Sequence, residues 1–184
     1  MNTYYGIIIG IGAVEKHDLE FVANLLNRVF ENITFNATYA RLEPPIEYYD
    51  WSRMQYISNG VLNYVNRIKN ELGVDLLLAI AGFDAYEPGL NFVFGEAMLN
   101  HGVAVVYTRR LMSDGGRRYE ERLAKEALHE LGHALGLGHC SQYCVMRFSN
   151  SLADVDRKPM AFCMKCAKKL RERGIIVSKD YVLS

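Results

Sequence analysis

Hydrophobic residues in this chain alternate between short, nearly unbroken runs and a spacing of three to four, a pattern that predicts strands and helices in turn. Residues 4–11 form an apolar run and predict a strand. In residues 18–30, Leu19, Val22, Leu25, Leu26 and Val29 share one side of a helix, and residues 34–42 alternate as a second strand. Pro44-Pro45 then interrupts regular structure. Residues 54–72 place Ile57, Val61, Leu62, Val65, Ile68 and Leu72 at helical spacing. Residues 76–81 are apolar at every position, as a strand covered on both faces requires. Further strands are expected at 91–95 and 103–107.

A long helix is expected to begin near Arg117, after Gly115-Gly116, with Ser113 or Asp114 as its cap. Leu123, Ala124, Ala127, Leu128, Leu131 and Leu135 fall within an arc of roughly 140°, the packing face. Arg122 and Glu126, four apart and opposite in charge, predict a solvated pair on the other arc. Beyond Gly136 the chain is turn-rich until a last helix at about 163–173, where Lys165, Lys168, Lys169, Arg171 and Arg173 predict a solvated face. The order predicts an α+β chain, α/β-like in its N-terminal portion, with a mixed twisted sheet backed by two helices. One domain over 1–184 is expected: an upper subdomain, residues 1–136, ending in the long helix, and a lower, irregular subdomain, residues 137–184.

Composition narrows the function classes. Lys plus Arg and Asp plus Glu number 21 each, so the net charge is zero and no basic footprint for nucleic acid is expected. No apolar run approaches the ~20 residues a membrane span needs. The start, Met-Asn-Thr-Tyr-Tyr-Gly, has no basic segment leading into an apolar one, so a cytoplasmic, reducing location is expected. The chain is expected to be a monomer.

Residues 129–139 carry the chemistry: His129-Glu130-Leu131-Gly132-His133-Ala134-Leu135-Gly136-Leu137-Gly138-His139. Four residues along a helix rise ~6 Å and advance ~400°, so His129 and His133 project from one line and grip a single metal ion. Glu130 lies ~100° further round, off that line yet within reach of a metal-held water, the place of a general base. Gly136 turns the chain and brings His139 back as the third ligand. Three neutral imidazoles leave one tetrahedral position open, as in catalytic and not structural zinc sites. The spacing is the metzincin signature, and Met146 is the candidate for its methionine turn.

The four cysteines fall in the same region. Cys140 and Cys144 are separated by three residues, Cys163 and Cys166 by two, and together they suit a closed tetrahedral Cys₄ zinc site. His139 and Cys140 are neighbours, so the structural ion is expected to clamp the segment that supplies the last catalytic ligand.

With Cys140, Cys144-Val145-Met146 and Cys163-Met164-Lys165-Cys166 following the histidine motif, the chain resembles the archaemetzincin family of zinc metallopeptidases. The match runs through residues 129–166, and Gly82-Phe83-Asp84-Ala85-Tyr86 and the stretch from Pro88 to Ala97 are similar as well. The resemblance implies a compact zincin-like domain with an antiparallel edge strand, a backing helix and an active-site helix above a zinc-stabilised subdomain. It implies two zinc ions per chain: a catalytic one on His129, His133 and His139, and a structural one on Cys140, Cys144, Cys163 and Cys166. Glu130 would activate the zinc-bound water, and Met146 would form the Met-turn. Asn91, Phe92, Val93, Phe94 and Gly95 would form the edge that pairs with an extended peptide or protein substrate. Two alternatives share these residues: a non-peptidase binding module using the Cys₄ hook and basic helix, and a metal-dependent amidase. Tyr143, the tyrosine nearest the ligand segment, is a candidate for oxyanion stabilisation, and His17 and His101 are expected at the surface or at helix ends.

Overall fold

The computed structural model describes residues 2–184. Its N-terminal portion contains β1 (Tyr4–Ile11), α1 (Lys16–Val29), β2 (Ile33–Leu42), β3 (Tyr49–Asp50), β4 (Gln55–Ile57), α2 (Ser58–Leu72), β5 (Leu76–Ala81), β6 (Ala85–Tyr86), β7 (Gly95–Met98) and β8 (Val103–Tyr107). It continues through α3 (Tyr119–Ala134), α4 (Leu152–Arg157), β9 (Phe162–Cys163), α5 (Met164–Glu172) and β10 (Val182–Leu183). The main sheet has the order β2-β1-β5-β8-β7. Its first four strands are parallel and β7 is antiparallel to β8, so the fold is α+β with an antiparallel edge strand.

Every residue of β5 and β8 is buried, because helices cover both sheet faces. Successive residues serve different cores. Leu78, Ile80, Ala104 and Val106 pack with α1 and α3, while Leu77, Ala79, Val103 and Val105 pack with α2. The C-terminal segment joins the first of these cores: Val145, Phe162, Leu170 and Val177 are buried in it. Backbone bonds from Ser178 to Val29 (2.8 Å) and from Glu31 to Ile176 (2.9 Å) fasten the segment to the end of α1. Residues 137–184 therefore share apolar burial with the upper subdomain. Their hydrophobic residues are too scattered in sequence for any periodicity to reveal this.

Three local expectations are corrected and one helix is added. Residues 54–57 are not helical: Gln55–Ile57 pairs with β3 and β6, and the Gln55 amide donates to Asp84 and to the Asn91 carbonyl. The expected strand at 91–95 is displaced to Gly95–Met98, since Val93 bonds Ala85 instead of the main sheet. Neither Ser113 nor Asp114 caps α3, which starts at Tyr119 after Arg118 without a side-chain cap. α4 was not evident from apolar spacing, although Ser151 caps it by accepting from the Asp154 N–H.

Arg122 and Glu126 are not a solvated pair; they are 3% and 2% exposed. Arg122 forks onto Asp156 through Nε and Nη2 at 2.7 and 2.8 Å and meets Asp114 at 2.9 Å. Glu126 meets Lys158 at 2.7 Å. These partners lie outside the helix, where helical spacing carries no information. Arg122→Met strips Asp114 of its cation and leaves Asp156 with Arg118 at 3.3 Å, and a loss of about 2 kcal/mol in unfolding free energy is expected. Urea denaturation measures it, and a change below about 0.5 kcal/mol would refute the bridge's importance.

Candidate active site and metal-ligand clusters

The last turns of α3 present His129 and His133 with their Nε2 atoms 3.1 Å apart. Each Nδ1 lies against a backbone carbonyl, His129 against Val145 O at 2.8 Å and His133 against Leu137 O at 2.7 Å. A carbonyl only accepts, so each Nδ1 carries the proton and each Nε2 turns a lone pair toward the other. Such lone pairs repel unless a cation lies between them. Nitrogens ~2.0–2.1 Å from a tetrahedral zinc stand about 3.4 Å apart, close to the observed spacing. His139 completes the set, with the three ligand atoms all within 4.8 Å of one another.

The helix stops where it must. Gly136 has φ of 99°, and the Gly136 and Leu137 N–H groups close on His133 O and Gly132 O, both at 2.9 Å. An alanine at 136 would hold a strained backbone at a cost of about 1–3 kcal/mol. Its Cβ would also lie 2.6 Å from the Arg173 guanidinium carbon. Gly136→Ala is therefore expected to lower the melting temperature and to weaken metal retention by moving His139. Chelator competition checks the second effect, and unchanged retention would refute it.

Burial holds the imidazoles neutral. It pushes His129 well below its ordinary pKa and lowers His133 and His139, and the Lys158 charge acts in the same direction on all three. Neutral imidazole is the metal-binding form. Burial and then the Glu126 carboxylate push Glu130 well above the usual carboxylate range. Glu130 lies against Gly95, where an added Cβ would stand 2.6 Å from its Cγ and 2.7 Å from Val105 O. Only a glycine lets β7 approach α3 this closely.

A cleft of about 270 Å³ opens over these groups. Of the expected substrate-binding stretch, Phe92, Val93, Phe94 and Gly95 line it and Asn91 does not; the Asn91 carbonyl is taken by Arg53 and Gln55. Met146 is fully buried beneath α3, its sulfur so close to Gly132 that a side chain there would collide with it. Tyr143 is 62% exposed and does not line the cleft. His17 meets Glu120 at the surface, and exposed His101 bonds Leu99 O.

Sequence spacing missed Phe148, edge-on to His139 with ring centroids 5.2 Å apart, and Ser149 in the cleft wall, and it put Glu126 on the metal-facing arc only as a solvated residue. Glu126 alone left a signal, lying one turn before Glu130 on the same helical face.

Cys140, Cys144, Cys163 and Cys166 bring their sulfurs within 4.8 Å of one another as free thiols. Cys140 Sγ and Cys163 Sγ are 3.8 Å apart, the separation of about 3.8 Å that a tetrahedral Zn–S distance of ~2.3 Å gives. The Cys166 hydrogen bond pulls the Cys144 thiol down to about 5. Cys166 itself is pushed up by its bond to Cys144, and Cys163 by burial. The Cys140 N–H also bonds Met146 O at 3.0 Å, tying the two clusters together.

Two helix-borne imidazoles, a third returned by a glycine turn, and a buried carboxyl beside a sheet edge define the class of zinc-dependent hydrolases. Comparison with known proteins narrows the class. The model of peptidase family M54 matches residues 11–172. An archaemetzincin of Archaeoglobus fulgidus is 45% identical over 159 residues, 86% of this chain and 94% of that one. The crystal structure of the A. fulgidus archaemetzincin superposes with a TM-score of 0.79 at 42% identity, covering 89% of this chain and 99% of that one. The archaemetzincin structure from Methanopyrus kandleri gives 0.83 at 32%, covering 93% and 95%. The chain belongs to peptidase family M54, the archaemetzincins, and is a zinc metallopeptidase. Among the described residues no helix is long and apolar enough to cross a membrane.

Proposed function

We propose that the chain hydrolyses peptide bonds in the cleft beneath β7, with His129, His133 and His139 holding the catalytic zinc and Glu130 moving the proton. The observation that carries this reading is the pair of Nε2 lone pairs facing each other at 3.1 Å, each imidazole oriented by a carbonyl behind it. When bound, zinc supplies Lewis acidity: it lowers the pKa of a coordinated water and polarises the scissile carbonyl. Glu130 takes a proton at a carboxylate oxygen and returns it to the leaving amine. Its burial against Gly95 raises its proton affinity and keeps bulk water from competing. β7 is the last strand of its sheet, and its outer edge offers backbone groups to an extended peptide. The pairing edge is thus Gly95–Met98, with Phe92, Val93 and Phe94 forming the wall beside it.

Cys140, Cys144, Cys163 and Cys166 hold a second, structural zinc, and Met146 serves as the Met-turn under the histidines. On this reading residues 1–184 act as one metallopeptidase domain, with residues 1–136 as its upper subdomain, residues 137–184 as its lower one, and the second ion joining the lower subdomain to the site. A mixed peptide pool tests the activity: chelator-sensitive cleavage is expected, and intact peptides after incubation with zinc-replete protein would overturn it.

A further inference from the structure

Proton transfer and metal binding leave one stretch of the cleft wall without a role. Among the described residues, three buried polar atoms lack a well-directed hydrogen-bond partner: Glu126 Oε1, Ser149 Oγ and Lys158 Nζ. Glu126 and Ser149 line the cleft together with Glu130 and His129, whereas Lys158 is outside the lining and contacts Glu126 at 2.7 Å. The two side chains of that ion pair are 3% and 1% exposed. Glu126 precedes Glu130 by one helical turn on the same face, so a substrate side chain passing Glu130 toward the start of α3 meets it next. For folding alone, apolar residues of similar volume would serve as well as or better than a buried ion pair with so few hydrogen bonds.

We propose that this wall is a subsite for a neutral carboxamide, the side chain of glutamine or asparagine in the peptide substrate. The inference rests on the peptidase reading above and adds to it the class of side chain selected. A carboxamide NH₂ donates to the Glu126 carboxylate, and its carbonyl accepts from the Ser149 hydroxyl. Lys158 sets the charge preference: it cancels the field of Glu126, so a cationic side chain gains no net attraction and bears its full desolvation cost. An anionic side chain has no donor for the Glu126 oxygens and likewise bears its full desolvation cost. An apolar side chain leaves the acceptor and the hydroxyl unpaired, the situation in which a polar pocket rejects its isostere most strongly. Phe92 and Phe94, in the same cleft, pack the methylene stem.

The test uses zinc-loaded full-length protein and a peptide series in which one residue near the scissile bond is Gln, Met, Glu or Lys. The expected kcat/KM for Gln exceeds that for Met, its near-isostere, by about tenfold or more, with Glu and Lys below Gln. Glu126→Leu with Lys158→Met removes both charges together and is expected to invert the Gln-to-Met order. Ser149→Ala, on a partly exposed loop, is expected to reduce the ratio several-fold and guards against misfolding of the double variant. A second readout is independent of turnover: fluorescence anisotropy with Glu130→Ala protein is expected to show tighter binding of the Gln peptide than of the Met peptide. Equal ratios for Gln and Met in the wild type, or a ratio unmoved by Ser149→Ala and the double variant, overturn the subsite. If the wild type cleaves none of the peptides, the peptidase reading fails, and the binding comparison still decides whether the wall prefers a carboxamide.

Discussion

Glu130→Ala is expected to lower kcat/KM for peptide hydrolysis by about a hundredfold to ten-thousandfold, the contribution of a positioned proton-transfer group. Zinc content should not change, because the Glu130 carboxylate is not one of the three converging donors. Stability should hold or rise slightly. The side chain is buried, its ionised form is disfavoured there, and its removal takes away a carboxyl that Glu126 also repels. Glu130→Gln separates shape from proton transfer, since the amide fills the same space against Gly95 but cannot take up a proton. Both variants are expected to be folded and to keep at most about a hundredth of the wild-type turnover, and their zinc content is read by elemental analysis. Full activity in either excludes Glu130 as the proton carrier. Loss of zinc in both would make it a member of the metal-holding structure instead.

The catalytic motif was legible because all of its elements lie within eleven residues of one helix and its terminating turn. Helical spacing places His129 above His133, and a positive-φ glycine is the usual way to end a helix and reverse the chain. β1, β5 and β8 were legible for a different reason. Parallel strands covered on both faces are apolar throughout, and their boundaries match the apolar runs. The stretch before β7 was not, because Phe94 is buried in one core and Phe92 and Val93 pack against the two cores, while Val93 bonds Ala85 and not the main sheet. Apolar residues that pack on a core from an irregular segment resemble a strand to any pattern based on burial. The polar half of α3 misled in the opposite sense. Arg122 and Glu126 have the spacing of a surface pair, yet Asp156 and Lys158 arrive from α4 and its end to bury them. Contacts between elements far apart in sequence leave no periodic trace.

The other large effect is expected at the cysteines. Cys163→Ser combined with Cys166→Ser should remove one equivalent of zinc and loosen residues 137–184. Structural zinc binding to four thiolates is worth about 10–16 kcal/mol in small domains, comparable to the whole stability of a typical domain. Not all of it should be lost here, because Val145, Phe162, Leu170 and Val177 still pack with α1 and α3. The catalytic site should nevertheless suffer. Val145 O orients His129, Cys140 adjoins His139, and the Cys140 N–H is bonded to Met146 O. Each of these groups lies on the segment the thiolates would hold, so hydrolysis is expected to fall by more than about tenfold even with zinc in excess, consistent with ~1 Å displacements costing ~10²-fold. The dependence should run one way. His139→Ala removes a ligand from the open site at the partly exposed end of the cleft and is expected to leave the thiolate-bound ion and resistance to limited proteolysis intact. Metal analysis, proteolysis of the lower segment and peptide turnover on both variants distinguish the two directions. A double-serine protein that kept its fold and its turnover would show that the second ion does not organise the first.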